Sequence, residues 1–158
     1  FNPATDMLPV AEWLEIDRYA LALTRRLRAK VREDYDTYEF HRIVQALQNF
    51  AAEDLGAVYL DILKDRLYTT RSNSKVRRSA QSALWCILQT VVRLMAPILS
   101  FTAEEIWELL NDDRESVMLT LFKDPLPRFY PKKREQDLSA VTDGAGYGKE
   151  WNDKQMKE

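Results

Sequence analysis

Arginine side chains recur along one flank of the first amphipathic segment of the chain. This set, called the arginine strip below, consists of Arg18, Arg25, Arg28 and Arg32. Their spacing places all four within an arc of about 80° on an α-helix. Because a guanidinium group is planar and permanently charged, it can bind an oxyanion through two parallel hydrogen bonds. The pattern predicts a surface that binds a polyanion, although a solvated helix face in a neutral protein has the same appearance.

Two further sets of polar residues follow along the chain. The polar stripe, with helical spacings of three and four residues, consists of Arg42, Gln45 and Asn49. The basic cluster places six cations within fifteen residues, namely Lys64, Arg66, Arg71, Lys75, Arg77 and Arg78. If the first two helices pack as an antiparallel pair, we expect the polar stripe to lie beside the arginine strip. Exposed tyrosines could stack on unpaired bases or simply pack; the candidates are Tyr35, Tyr38 and Tyr68.

The composition of the chain excludes most catalytic, metal-binding and nucleotide-binding sites that could be built from this chain alone. The chain has one cysteine and one histidine, Cys86 and His41, too few for a structural zinc site or a Ser/His/Asp or Cys/His catalytic set. Only Gly56 precedes residue 144 among its four glycines, so a glycine-rich phosphate loop cannot form there. We therefore predict no catalytic residue, no metal site and no cofactor within this chain.

Net charge is unevenly distributed along the sequence. The whole chain has a net charge of −2, but residues 1–17 carry −4, residues 18–93 carry +6 and residues 94–158 carry −4. No stretch is long and apolar enough to span a membrane. The segregated positive block favours a polyanionic partner.

Helical periodicity dominates the sequence and predicts an all-α fold. Three long helices are expected, over residues 10–34, from about 39 to 51, and over residues 75–96, with short helices over 57–64 and 102–110. They should form an antiparallel bundle over residues 1–126, after an irregular lead-in at the N-terminus. The chain starts without a methionine, so we expect it to begin inside a longer protein.

Several local signals predict where the later elements begin and end. Pro97 should kink or end the third long helix, and Thr102 followed by Glu105 has the spacing of a capping box. Residues 116–122 are predicted to form an irregular element or a brief strand. Residues 127–158 are polar and contain three glycines, and are predicted to be a flexible extension or to lead into a missing C-terminal region.

Five segments, in order, carry a resemblance to a known family: Leu14-Glu-Ile-Asp-Arg-Tyr-Ala-Leu21, Tyr38-Glu-Phe-His-Arg42, Tyr59-Leu-Asp-Ile-Leu-Lys-Asp-Arg-Leu-Tyr68, Arg77-Arg-Ser-Ala-Gln81 and Ala96-Pro-Ile-Leu-Ser-Phe-Thr-Ala-Glu-Glu-Ile-Trp107. With these segments the chain closely resembles the anticodon-binding helical domain of bacterial isoleucyl-tRNA synthetase. The last segment is shared with the valyl and leucyl enzymes. The Lys64–Tyr68 part of the third segment and the fourth segment favour isoleucine.

The resemblance implies a non-catalytic piece of a cytoplasmic, monomeric ligase. The parent would join isoleucine to tRNA(Ile) with ATP and Mg²⁺, and would hold Zn²⁺ in a region outside this chain, while this piece binds the anticodon stem and loop. We expect the tRNA to contact the arginine strip, the polar stripe, Arg71, Lys75, Arg77 and Arg78. A second set faces either the tRNA or the catalytic domain of the same parent: Lys64, Asp65, Arg66 and Tyr68. The alternatives are a valyl- or leucyl-type domain, or a helical adaptor that binds an acidic protein.

Overall fold

The fold is an α-helical bundle with six α-helices in the part of the chain that the structure describes. A computed structural model describes residues 1–110 and 116–120. The helices are α1 (Pro3–Asp6), α2 (Glu15–Asp36), α3 (Phe40–Asn49), α4 (Asp61–Thr69), α5 (Lys75–Met95) and α6 (Ser100–Leu110). A π-helical segment (Phe50–Leu60) joins α3 to α4, and 3₁₀ turns cover Val10–Glu12 and Val117–Thr120. The all-α prediction is confirmed, and no helix among these residues is both long and apolar enough to cross a membrane.

The first predicted helix is shorter at its start than its periodicity suggested. Residues 10–12 form a 3₁₀ turn, and α2 begins only at Glu15. The lead-in, residues 1–14, is also more ordered than expected, because Asn2 caps α1 by accepting a hydrogen bond from the Ala4 N–H at 3.0 Å. The indole N–H of the buried Trp13 donates to the Leu8 carbonyl at 2.8 Å. The lead-in is therefore a folded part of the bundle.

A tight reversal connects α2 to α3. Tyr38 adopts a left-handed backbone conformation, with φ 59°, which a non-glycine residue seldom does. The Glu39 N–H then donates to the Asp34 carbonyl at 2.8 Å. Glu39 occupies the N-cap position of α3 and makes no side-chain capping bond. This short connection makes α3 antiparallel to α2, as predicted.

The second long element is a continuous helical rod from Phe40 to Thr69. The backbone stays in the right-handed helical region through Asn49, Phe50, Leu60 and Asp61, where α3, the π-helical segment and α4 meet. The predicted break at Gly56 and the predicted end near residue 64 are wrong. Glycine here does not interrupt the helix; it accommodates the wider π-helical turn.

Helix α5 runs parallel to α2 and antiparallel to the rod. Its first turns contact the start of α2, where the Leu14 N–H donates to Ser79 Oγ at 2.9 Å. Its last turn contacts the end of α2, where the Tyr35 hydroxyl donates to the Leu94 carbonyl at 2.8 Å. The helix ends at Met95, two residues before Pro97, as predicted. The three long elements therefore alternate in direction around a shared core.

Helix α6 and the following 3₁₀ turn build a smaller apolar cluster against the end of α5. It contains the buried residues Val92, Ala96, Ala103, Trp107 and Val117. The helix starts at Ser100, so Thr102 lies inside it and the predicted capping box is wrong. The three residues after Pro97 turn directly into the helix, and the Ala103 N–H donates to the Leu99 carbonyl at 2.9 Å.

The described part of the predicted strand forms a 3₁₀ turn instead. Its polar groups bond to helices: Glu104 accepts hydrogen bonds from Ser116 Oγ at 2.9 Å and from the Val117 N–H at 3.2 Å. The Arg93 Nε donates to the Thr120 carbonyl at 3.2 Å, and its guanidinium lies 4.5 Å from the Trp107 ring centroid. Residues 121–122 and the predicted extension 127–158, with its boundary at 126, lie outside the described residues.

A buried carboxylate, Asp17, connects the three long elements. Its side chain is fully shielded from solvent. One oxygen, Oδ1, accepts a hydrogen bond from the Tyr59 hydroxyl at 2.8 Å and lies 3.5 Å from the Arg66 guanidinium. The other, Oδ2, accepts from the Ser79 hydroxyl at 2.5 Å. A buried charge is tolerated only when it is paired and hydrogen-bonded, and these partners supply both.

Tyr59 is held as a neutral donor in this network. Burial, then the charge of Asp17 and the hydrogen bond to it, raise the pKa of the Tyr59 hydroxyl well above its ordinary value. Arg66 opposes this effect because its positive charge favours the phenolate. The hydroxyl therefore keeps its proton and donates to Asp17 at physiological pH.

We expect Asp17→Ala to destabilise the chain by about 3 kcal/mol. The change leaves the Tyr59 and Ser79 hydroxyls and the Arg66 guanidinium without their shared acceptor, and breaking a buried pair from one side is costly. Urea denaturation measures the loss as a shift in midpoint at constant slope. Glu33→Ala, which removes an exposed acid from the same helix, should change stability by no more than about 0.5 kcal/mol. An Asp17→Ala loss as small as that of the control would contradict the assigned role of the network.

Gly56→Ala should fail to stabilise the rod. A methyl group at position 56 would lie 2.9 Å from the Ala51 carbonyl oxygen, closer than carbon and oxygen tolerate, so the π-helical turn would have to shift. In an ordinary α-helix the same change gains about 1 kcal/mol. Thermal unfolding of both chains measures the sign. A gain near 1 kcal/mol would show that the rod is α-helical at this point.

Candidate nucleic-acid interface

The arginine strip lies on α2, and its two ends are open to solvent. Arg18 and Arg32 are exposed, and no partner is found for either within residues 1–110 and 116–120. Arg25 and Arg28 are half-buried and already interact with other groups. At a rise of 1.5 Å per residue, the strip extends for about 21 Å along α2. Its most available guanidinium groups are therefore the two outermost ones.

The strip borders α5. Tyr35, which donates to the Leu94 carbonyl of α5, lies seven residues after Arg28 and therefore on the same flank of α2. Helix α5 contains four cations and no Asp or Glu over its whole length. The arginines consequently have no carboxylate from α5 to neutralise them. On α2 itself, the exposed Asp36 stands at the far end of this flank, one turn beyond Arg32.

The opposite flank of α2 faces the rod. Leu14, Glu15, Ile16 and Tyr19 line an open cleft of about 470 Å³ with Arg66 of α4. Arg26 lies on this second flank, is exposed, and has no partner among the described residues. Helix α2 thus presents one arginine, Arg26, on the side of the rod, and the arginine strip on the side of α5.

The polar stripe of α3 is exposed and shares one face. The Phe40 ring lies 6.2 Å from that of Tyr35, so the Phe40 flank of α3 is on the α5 side. Arg42, Gln45 and Asn49 are roughly 140–180° away from Phe40 around the helix. This ring contact does not support the expectation that the two sets lie side by side, which stays a prediction. Helical periodicity locates a residue on its own helix, but not the direction in which that helix turns toward its neighbours.

Most of the basic cluster is engaged within the chain. Lys64 forms an exposed ion pair with Asp61 at 3.0 Å, and Arg66 pairs with the buried Asp17. Arg77 donates to the Thr70 carbonyl at 3.2 Å. The Arg66 pair joins α4 to α2, and the Arg77 hydrogen bond joins α5 to the loop after α4, so we assign Arg66 and Arg77 a structural role.

The acidic lead-in binds the start of α5. Arg78 Nη1 lies 2.9 Å from an Asp6 carboxylate oxygen, and its side chain is 19% exposed. Lys75 Nζ lies 3.4 Å from Glu12, and both of these side chains are at least half exposed. Arg71 alone in the basic cluster is exposed without a partner in the described residues. The cations at this end are therefore largely neutralised from within.

The tyrosine candidates separate into two groups. Tyr38 is 79% exposed and Tyr68 is 85% exposed, so both rings are available for stacking. Tyr35 is half-buried and hydrogen-bonded to α5, and burial raises the pKa of its hydroxyl to about 12. Its role is packing. Asp65, beside Tyr68 on α4, is exposed.

The described residues contain no arrangement suited to hydrolysis or metal binding. No group of three or more His, Cys, Asp or Glu side chains in this part of the chain is placed to hold a metal ion. His41 is on the surface, 3.4 Å from Glu39. Cys86 is buried in α5, and burial raises the pKa of its thiol to about 12, which leaves it unreactive.

Sequence reasoning missed the residues that hold the interface in place. Asp17, Tyr59 and Ser79 were not singled out, although each lies within one of the segments that carry the family resemblance. The available signal was an acid at the edge of the apolar stripe of α2, next to Ile16. An acid at such a position requires partners, but the sequence does not say which residues supply them.

Two comparisons with known proteins agree with this architecture. A family model described as "Anticodon-binding domain of tRNA ligase" matches residues 17–145. An isoleucine–tRNA ligase of Aromatoleum aromaticum is 67% identical over 120 residues, which are 75% of this chain and 13% of that protein. The isoleucine–tRNA ligase of Dechloromonas aromatica is 64% identical over 125 residues, which are 78% of this chain and 13% of that protein.

The matched regions cover most of this chain but only a small part of each relative. The family model covers most of the sequence, including all three long helical elements. The chain spans about 13% of the length of the curated relatives that it matches. Family membership rests on this coverage together with the all-α bundle, and the chain belongs to the anticodon-binding domains of tRNA ligases.

Proposed function

We propose that this chain is the anticodon-binding part of an isoleucine–tRNA ligase and that it binds the anticodon arm of tRNA(Ile). The observation that carries the proposal is the arginine strip on α2, with Arg18 and Arg32 exposed beside the acid-free helix α5. The resemblance to isoleucine–tRNA ligases at 64–67% identity supports the choice of amino acid. A cation strip of this length suits a curved polyanion better than a small ligand.

The chemistry of binding follows from the structure of RNA. The deep groove of an A-form stem is inaccessible to side chains, so a protein contacts the phosphates and the unpaired bases of the loop. Arg18 and Arg32 bind phosphates along one strand, while Arg25 and Arg28 raise the positive potential between them. Base contacts come from exposed polar or aromatic side chains, for which Tyr38, Tyr68 and the polar stripe of α3 are the candidates.

The activity of the parent ligase lies outside this chain. The parent joins isoleucine to tRNA(Ile) with ATP and Mg²⁺ in a catalytic domain, holds Zn²⁺ elsewhere, and works in the cytoplasm as a monomer. This part supplies binding energy and orientation for the tRNA and contributes no reacting group. Tyr68, exposed on α4, is available to either the tRNA or the catalytic domain, whereas Lys64 is paired with Asp61.

We expect Arg18→Ala and Arg32→Ala each to weaken binding of a tRNA(Ile) anticodon stem-loop. Loss of one phosphate contact should reduce the slope of log affinity against log salt by about 0.7 to 0.9. Fluorescence anisotropy at several salt concentrations measures both quantities. Arg26→Ala is the matched control for Arg32→Ala, because it removes the same charge from an exposed site about 120° away around α2.

Two outcomes of this titration would contradict the proposal. If Arg26→Ala lowered the slope as much as Arg32→Ala, the effect would come from long-range charge and not from contact by the strip. An unrelated anticodon stem-loop of equal length serves as the second RNA probe, and we expect the chain to bind the tRNA(Ile) stem-loop more tightly if the loop bases are recognised. If neither stem-loop bound, the chain would not be an RNA-binding domain on its own.

A further inference from the structure

The lead-in places carboxylates directly on the cations at the start of α5. Asp6 lies 2.9 Å from Arg78, and Glu12 lies 3.4 Å from Lys75. Two backbone hydrogen bonds fix this arrangement, from the Leu8 N–H to Ser82 Oγ at 3.0 Å and from the Leu14 N–H to Ser79 Oγ at 2.9 Å. Both serines are fully buried, so the position of the lead-in on α5 is determined by the fold.

The start of α5 carries cations that could bind a phosphate, although the Ser74 side chain caps the helix by accepting a hydrogen bond from the Arg77 N–H at 3.3 Å. The first turn of a helix carries a partial positive charge from its free N–H groups, which acids usually balance. The first turn of α5 contains no acid; it contains Lys75, Arg77 and Arg78. The balancing carboxylates come from the lead-in instead, from a different part of the sequence.

A carboxylate and a phosphate make the same kind of contact with a guanidinium or ammonium group. Each accepts short, charge-assisted hydrogen bonds, and a cation paired with one is not free to bind the other. Asp6 is well suited to this role, because the hydrogen bond from the Asn2 N–H, followed by the charge of Arg78, lowers the pKa of its carboxyl. It is therefore ionised throughout the physiological range.

We propose that Asp6 and Glu12 act as an internal substitute for phosphate that withholds Lys75 and Arg78 from RNA. This inference rests on the proposed function and adds a restriction to it. Arg18 and Arg32 have no corresponding carboxylate among the described residues, so RNA is directed to the arginine strip. The lead-in thereby suppresses a second, misplaced phosphate-binding surface on the same bundle.

The test removes the two charges without removing the side chains. In the 158-residue chain, Asp6→Asn with Glu12→Gln should leave Lys75 and Arg78 without a carboxylate partner, while Arg78 keeps the neutral acceptors Gln81 and Asn73 at 3.3 Å. The salt dependence of binding to the tRNA(Ile) anticodon stem-loop should then become steeper by about 1.4 to 1.8 in slope, or about 0.7 to 0.9 per freed cation. Affinity at low salt should rise by at least tenfold.

The matched control is Glu53→Gln with Asp54→Asn. These acids are exposed on the π-helical segment, and their replacement changes the net charge by the same amount. A gain equal in the two double variants would overturn the proposal, because it would reflect total charge alone. No gain in Asp6→Asn with Glu12→Gln would overturn it as well, whether or not the unaltered chain binds RNA.

Two further variants keep the test decisive. Adding Lys75→Ala and Arg78→Ala to the charge-removed chain should return the slope to its original value, since the freed cations are then absent. Glu12→Gln alone, at a half-exposed site, should give half of the change if the double variant is poorly folded by circular dichroism. Failure of the proposed function is recognised separately. In that case, Arg18→Ala and Arg32→Ala, made in a chain that keeps Asp6 and Glu12, do not change RNA affinity or its salt dependence.

Discussion

The buried carboxylate of Asp17 is the constraint on which the arrangement of the bundle depends. Its two oxygens bind groups from the π-helical segment, α4 and α5 at once. Ser79 completes the junction by also accepting the Leu14 N–H, which fixes the start of α2. Because an unpaired buried charge costs far more than a paired one, any other packing of these helices would be penalised. The direction in which α2 presents its arginines is set by this junction.

The charge segregation visible along the sequence largely disappears in space. Three of the four acids in the first seventeen residues bind cations of the positive block: Asp6 pairs with Arg78, Glu12 with Lys75 and Asp17 with Arg66. Neutralisation is therefore concentrated at the start of α5 and around α4. Arg18 and Arg32 on α2 have no carboxylate partner among the described residues, and neither do Arg26 and Arg71. A small net charge of −2 thus coexists with exposed arginines that no acid of the described residues neutralises.

Periodicity predicted the helices well because each buries one apolar stripe. Ala20, Leu27 and Val31 on α2 are buried as expected, and the end of α5 before Pro97 follows from the missing proline N–H. The continuous rod was not predictable, since glycine disfavours an α-helix and its fit to a π-helical turn depends on the Ala51 carbonyl. The roles of Arg66 and Arg78 were also hidden, because their acidic partners lie 49 and 72 residues away in sequence. Long-range pairing of this kind leaves no local pattern.

The central claim is that RNA contacts the arginine strip and not the other cationic surfaces. The most direct measurement follows the arginine side-chain Nε–Hε signals of the ¹⁵N-labelled chain by nuclear magnetic resonance while the tRNA(Ile) anticodon stem-loop is added. The account predicts that the signals of Arg18 and Arg32 shift, while those of Arg26 and Arg66 keep their positions. Shifts at Arg26 without shifts at Arg18 and Arg32 would contradict it.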